Sequence, residues 1–451
     1  MIVSSTISPG LKIGLRWFGV WPNVPYSIVN WLLVMSSILV VQYFQYLYVF
    51  SHFKLSELSN LVDGLSSTLE SSLMFIKMAS LWKHRRLLHQ LLTAMNNDWR
   101  ECSNIDQHKN IMTIKASVSH FCFNAMLSFN TFAAILYLLG DYVIRFVYLT
   151  KDYNNSLLQF PVKAQFPFET EQSPIFELLV VALFLHVMSD SFAIAIVNGL
   201  IFSLVFHVSG QIDIICQGFR NISKSIHSGS SASTLGMLIE RHNRVILFSE
   251  QIGKLFSFIT LMQVAANTLV ICCVGFVITI SFHNEAGIFV LLKAILAYVA
   301  ITIEAFIICL AGEYLSFKSK SVSNAAYESL WYDMPSNQGK IISFMILRSQ
   351  KRLMITAGKI VTLSLETFAS LQDIQMDNKL SRIAVRLRRA DNYDRSSLEW
   401  GYTMSSENGN TTIRYERAYA RRRICIFKEN YSLPRNMRTE SSLLIVLVPD
   451  L

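Results

Sequence analysis

Four stretches of this chain contain no Asp, Glu, Lys or Arg: Trp17–Phe53, Ala116–Gly140, Ser191–Ile212 and Leu255–Asn284. An α-helix needs about 20 apolar residues to cross a bilayer, so each stretch is long enough to span. The charges between them are distributed unevenly. Segments 1–27, 83–115, 208–254 and 313–352 hold 19 basic residues, whereas 51–60, 141–174 and 283–287 hold four, Lys54, Arg145, Lys151 and Lys163. Basic residues are retained on the cytoplasmic side of a membrane, which places the N-terminus inside. The chain therefore reads as an all-α integral membrane protein.

Composition agrees with that reading. At 52% hydrophobic and 16% charged, 451 residues carry too little polar surface for a soluble protein. A net charge of +9 would suit nucleic acid, but the basic residues flank the spans, where orientation accounts for them. No nucleic-acid partner is expected. The first apolar run, Ile28–Phe50, is too long for the core of a cleaved signal peptide and is expected to be an anchor. Cys102 and Cys216 fall in the basic loops, Cys122, Cys272, Cys273 and Cys309 in the spans, and Cys425 in the tail. No disulfide framework, metal site or cofactor is expected from this distribution.

Seven spans are expected: about Ile28–Phe50, Asn60–Leu81, Ala116–Gly140, Ile175–Val208, Leu255–Phe282, Ile288–Gly312 and a last one from Ile355. The second carries Asp63, Glu70 and Lys77 at heptad spacing, on one helix face. That face must line a cavity or pair within the bundle, and a Glu70–Lys77 pair is one way to do so. His186 and His207 are read as buried hydrogen-bonding groups. Ser223–Gly236 reads as a flexible loop. Asn154-Asn155-Ser156 is a glycosylation acceptor on the outer side, with Asn154 as its site. The last span reads as a helix over Ile355–Leu371 that is then cut short by Gln372-Asp373 and a tail of fourteen basic and ten acidic residues. This divides the chain into an N-terminal arm (1–27), a seven-transmembrane helical bundle (28–371) and an atypical tail (372–451). The tail is expected to stay cytoplasmic and largely disordered, with Asn410 unmodified, because crossing would carry Asp373 and Arg382 into hydrocarbon. No internal repeat supports an inverted-repeat transporter, and no catalytic constellation supports an enzyme.

Several strings resemble the insect odorant receptor family: Leu15–Pro22, Ser173–Leu178, His207–Gln211, Glu240–Phe276, Tyr327–Pro335 and, most specifically, Lys340–Phe368. The likeness covers about residues 11–371. It implies seven helices with the N-terminus inside, the orientation that the charges indicate independently. It also implies an odorant-gated, non-selective cation channel acting in smell, at the plasma membrane of sensory dendrites. In such a channel a variable tuning subunit assembles with a shared co-receptor around a pore built by the last helix of each subunit. Two departures stand out. Arg352 occupies a position where many relatives carry proline, which is expected to weaken the break in the last helix. The tail replaces the apolar end of that helix, as a retained intron or misplaced exon boundary would. Gustatory receptors share the architecture and are the alternative. A G-protein-coupled receptor would need the opposite orientation.

The resemblance places an odorant site in the outer half of the bundle, where small, volatile, mostly apolar ligands need aromatic and aliphatic walls. Candidates are Phe132, Leu136 and Tyr137 on the third span, Phe176, Leu179 and Leu183 on the fourth, and Ile295 and Tyr298 on the sixth. Ordinary core packing is the alternative for each. Lys359 and Glu366, seven residues apart on the last helix, are candidates for the ion path or a subunit contact, with structural pairing as the alternative.

Overall fold

The structure, a computed structural model, describes residues 5–22, 24–53, 58–148, 160, 162–168, 170, 172, 174–226, 231–281 and 288–376, all within one compact unit. Asn154 and the tail from 377 onward, and with them the expectations about glycosylation and the tail's fate, lie outside the described residues.

A short helix, α1 (Pro9–Trp17), opens the described chain. The Ser8 side chain accepts from the Leu11 N–H at 3.1 Å, and Pro9 occupies the first turn, where its missing donor costs nothing. Leu11, Gly14 and Leu15 form its buried face. A second helix, α2 (Ser27–Ser51), is the first span. Its polarity is inverted relative to a soluble helix. Gln42 and Gln45 are buried beside Met35, Ile38 and Val49, while Leu32, Leu33, Leu39 and Val40 are exposed. Lipid is as apolar as leucine, so the outward face carries aliphatics and the bundle face carries groups that hydrogen-bond across helices. Gln42 Nε2 donates to Ser72 Oγ at 2.6 Å on the next helix, α3 (Leu58–Lys83). At the other end of α3, Trp82 stacks on Trp31 with ring centroids 4.8 Å apart.

The sequence reads 83–115 as a loop, but the structure makes most of it an amphipathic helix, α4 (Arg85–Ser103), that buries Leu88, Leu91, Leu92, Met95, Trp99 and Cys102 at three- and four-residue spacing. The long helices are also longer than the spans inferred from sequence. They are α5 (Asp106–Tyr148), α6 (Ile175–Ile226), α7 (Ser231–Ser281) and α8 (Ile288–Tyr327). At 1.5 Å per residue, the 52 residues of α6 extend about 78 Å, far beyond a hydrocarbon core of about 30 Å. Ser223–Ile226 and Ser231–Gly236, read as flexible loop, are the ends of α6 and α7. Both corrections have one cause. Helix ends that leave the bilayer carry mixed polar sequence, so hydropathy misses them, and they are held by packing against one another.

α6 is the central strut. It packs against α5, α7 and α8, and nearly every residue from Ala193 to Cys216 is buried. Three of its buried serines are paired: Ser203 with Ser119 at 3.0 Å, Ser209 with the Tyr314 hydroxyl at 3.0 Å, and Ser191 with the Asn130 carbonyl at 2.8 Å. Basic residues that mark the cytoplasmic flank in the sequence also act as ties here. Asp213 holds Lys115 at 2.9 Å and Lys318 at 2.8 Å, joining α5, α6 and α8. Arg244 forms a bidentate pair with Glu101, at 2.7 and 2.9 Å, joining α7 to α4.

The last segment differs from its sequence reading. Helix α9 (Ser336–Gln350) ends before Arg352, and a two-stranded antiparallel hairpin follows, β1 (Thr356–Ala357) and β2 (Val361–Thr362), with Thr356 opposite Thr362. Only then does α10 (Leu365–Met376) begin. The expected helix over Ile355–Leu371 is therefore not continuous, and its interruption does not need a proline at 352. Released backbone groups find partners outside a helix: Leu353 N–H donates to Ser319 Oγ at 3.1 Å, and Gly358 N–H donates to the Ser257 carbonyl at 2.8 Å. Gly358 and Lys359 both adopt left-handed backbone, with φ of 61° and 62°, which turns the hairpin.

Five described helices, α2, α5, α6, α7 and α8, are long and apolar enough to cross a membrane. Among the described residues, α3 packs along α7, and α10 packs against α8 and α7. The chain is a multi-pass membrane protein.

Candidate functional site

The end of the bundle away from the basic ties carries most of the sequence candidates, and the fold separates them. On α6, Leu183 is buried, while Phe176 and Leu179 are half-buried. Phe176 packs on Phe160 at 5.2 Å within an aromatic group that includes Phe166 and Phe44 of α2. The Gln165 N–H donates to the Phe44 carbonyl at 3.1 Å and pins this group to α2. The density of phenylalanine at 160, 166, 168 and 176 was the signal for it in the sequence. On α5, Tyr137 is half-buried, but Leu136 is exposed and Phe132 is 61% exposed. On α8, Ile295 is exposed and Tyr298 is half-buried against a small core of Val270, Ile271, Val274 and Ile301, on which Leu69 of α3 also packs. Leu183, Phe176, Leu179, Tyr137 and Tyr298 thus face the bundle to some degree, whereas Phe132, Leu136 and Ile295 stand on its outer surface.

Between these walls and the basic end lies a polar cluster shared by three helices. Lys77 of α3, its side chain only 2% exposed, donates to Glu304 Oε1 of α8 at 2.9 Å. Asn198 Nδ2 of α6 donates to the same oxygen at 3.2 Å. Glu70 lies within electrostatic range of Lys77 and Glu304 and of Asp190 on α6, and His186 Nε2 is 3.4 Å from Asp190 Oδ2. The pairing inferred from sequence, Glu70 with Lys77, is replaced by Lys77 with Glu304. Seven residues along a helix is about 10.5 Å, too far for two side chains of one helix to meet, whereas α8 brings Glu304 to the level of Lys77. One ion pair and one hydrogen bond to the same carboxylate thereby join three helices inside the bundle.

Two other polar candidates change their setting. Lys359 sits exposed at the hairpin turn and Glu366 exposed in the first turn of α10, so they do not share a helix face. The reason is the hairpin: two strands reset the register that a continuous helix would have kept. His207 is a buried bridge as expected. Its Nε2 is 3.0 Å from Asp98 Oδ2 and its Nδ1 is 3.3 Å from Thr6 Oγ1, which also accepts from Trp99 Nε1 at 2.9 Å. The N-terminal arm is therefore tied to α4 and α6.

Comparison with known proteins places this architecture. The family model described as 7tm Odorant receptor matches residues 57–374. Odorant receptor 22c of Drosophila melanogaster is 25% identical over 232 residues, covering 48% of this chain and 56% of the relative. The odorant receptor coreceptor of the ant Ooceraea biroi is 26% identical over 140 residues, covering 31% of this chain and 28% of the relative. The chain thus spans about half the length of the first relative and less of the second. Its fold is shared with the insect olfactory receptor OR5 of Machilis hrabei, solved in complex with eugenol, at a TM-score of 0.69 and 16% identity over 84% of this chain and 97% of that one. With most of the bundle matched by the family model, this chain belongs to the 7tm odorant receptor family.

Proposed function

We propose that this chain is an odorant-binding tuning subunit of a ligand-gated, non-selective cation channel that assembles with a shared co-receptor. Its N-terminus is in the cytoplasm and its membrane is the plasma membrane of a sensory neuron. The observation that carries this reading is the odorant receptor match over residues 57–374. The likeness to a coreceptor and a fold shared with a eugenol-bound receptor support the partner and the ligand class. The ligand is a small, mostly apolar volatile received among the half-buried aromatic and aliphatic residues of α5, α6 and α8. A G-protein-coupled receptor is not favoured, because it would invert the basic asymmetry.

Co-expression with the co-receptor is expected to give an odorant-evoked cation current that persists when G-protein signalling is blocked. A current abolished by the block counts against direct gating. Tyr298→Ala removes a ring of α8 that packs on the small core of Val270, Ile271, Val274 and Ile301, and it is expected to shift odorant sensitivity by up to about tenfold, the equivalent of one lost hydrogen bond or ring contact. Current carried by the co-receptor alone should not change.

Orientation has its own test. An epitope at Met1 is expected to be reached by antibody only in permeabilised cells, with Asn154 as the glycosylated acceptor. Labelling of the N-terminal epitope on intact cells would reverse the topology.

A further inference from the structure

On α7, Gln263 and Asn267 lie one turn apart, and Gln263 Nε2 donates to Asn267 Oδ1 at 2.7 Å. This leaves Gln263 Oε1 and Asn267 Nδ2 without a partner, although the two residues are only 2% and 5% exposed. Exchanging oxygen and nitrogen in both amides gives the same result: one free donor and one free acceptor remain. Buried polar groups are costly unless hydrogen-bonded, and in a membrane bundle bulk water is not at hand to satisfy them.

Both amides line a cleft between α7, α8 and the chain that leads into α10. Its apolar walls include Val264, Ile308, Leu363 and Phe368. The cavity is about 30 Å³, set in about 450 Å³ of empty space that runs out into the surroundings. A cavity of that size admits a hydroxyl, and an aliphatic tail would extend into the open space beside Ile308, Leu363 and Phe368. None of the eight residues singled out as odorant candidates lines it.

One free donor next to one free acceptor calls for a group that accepts and donates through a single small atom. A hydroxyl does both. We propose that this cleft binds a small aliphatic alcohol, with its hydroxyl accepting from one amide and donating to the other and its alkyl chain lying along Ile308, Leu363 and Phe368. This is a second ligand site, at the seat of α10. Its existence does not depend on the channel reading, because binding is measured directly.

The test uses the purified full-length protein in detergent micelles and a diazirine-bearing 1-octanol, with photoadducts mapped by mass spectrometry. Adducts are expected within 260–271, 305–309 or 363–368. At equal micellar concentration, 1-octanol should compete about tenfold better than 1-methoxyoctane, which accepts a hydrogen bond but cannot donate one. Gln263→Leu/Asn267→Leu should abolish that preference while leaving labelling elsewhere unchanged. Equal competition by the alcohol and the ether in the unaltered protein would overturn the proposal, leaving simple apolar partition. Absence of adducts from the cleft would overturn it too, leaving water as the occupant. The comparison of competitors needs no variant, so it stands even if the double substitution fails to fold.

Discussion

Lys77→Met is expected to lower the midpoint of thermal unfolding of the detergent-solubilised receptor by on the order of 5–10 °C, and Lys77→Met/Glu304→Gln to recover most of that loss. Lys77 is the cation of an ion pair held at 2.9 Å between α3 and α8, and Asn198 of α6 donates to the same carboxylate. Methionine fills the volume of the lysine stem but leaves the Glu304 carboxylate uncompensated inside the bundle, with Glu70 nearby. Breaking a buried pair from one side costs about 3–5 kcal/mol, a large share of the 5–15 kcal/mol by which folded proteins are typically stable. Removing both charges is close to neutral, because the desolvation of two ions disappears together with their attraction. Glutamine at 304 still offers Asn198 an acceptor. Monodisperse elution and a melting curve for the two single variants and the double variant decide the matter. An unchanged melting point for Lys77→Met would mean that the pair contributes nothing to the bundle.

The second large effect is expected at Gly312. This α8 glycine lies directly beneath the hairpin, and a Cβ built there collides with the Leu363 carbonyl and side chain. A backbone carbonyl cannot rotate away as a flexible side chain can. Gly312→Ala should therefore lift the segment 353–376 from α8, costing about 1–3 kcal/mol locally and leaving the long helices in place. Hydrogen exchange across 353–376 should accelerate about tenfold or more, while exchange in α6 stays unchanged. Where α10 lines a pore, the odorant-evoked current should fall as well. Gly253→Ala on α7 is the control. A Cβ there meets nothing within 4 Å, so the change should be neutral or stabilising by about 0.5–1 kcal/mol. Equal exchange in the unaltered protein and Gly312→Ala would show that the hairpin does not depend on this close approach.

The extent to which each feature could be read in advance follows the range of the forces involved. α2 and α3 match their spans to within a few residues, because a requirement for about 20 apolar residues is local and leaves its mark in composition. The inward Gln42 and Gln45 and the outward leucines of α2 follow from the same preference for lipid. The sequence reading passes over α4 because the run 83–115 is too polar to span and charged at both ends, and its amphipathic face, Leu88 to Cys102, only has a meaning once other helices cover it. The site candidates divided for a related reason. Phe, Leu and Ile at helical spacing look alike whether they face lipid or the bundle, so Phe132 and Leu183 were equivalent in the sequence and opposite in exposure.

From the sequence alone came the membrane class, the long apolar spans, the asymmetry of charge and the family likeness, each carried by local composition or by short strings of residues. The tertiary structure alone decided which groups meet. Glu304 rather than Glu70 answers Lys77, from 227 positions away. Thr6 reaches His207, and Gln263 and Asn267 are left with one free donor and one free acceptor at the seat of α10. A helix fixes only its neighbours at three and four residues. The register of one helix against another, and the hairpin that resets the last one, depend on packing between segments that the chain order keeps far apart.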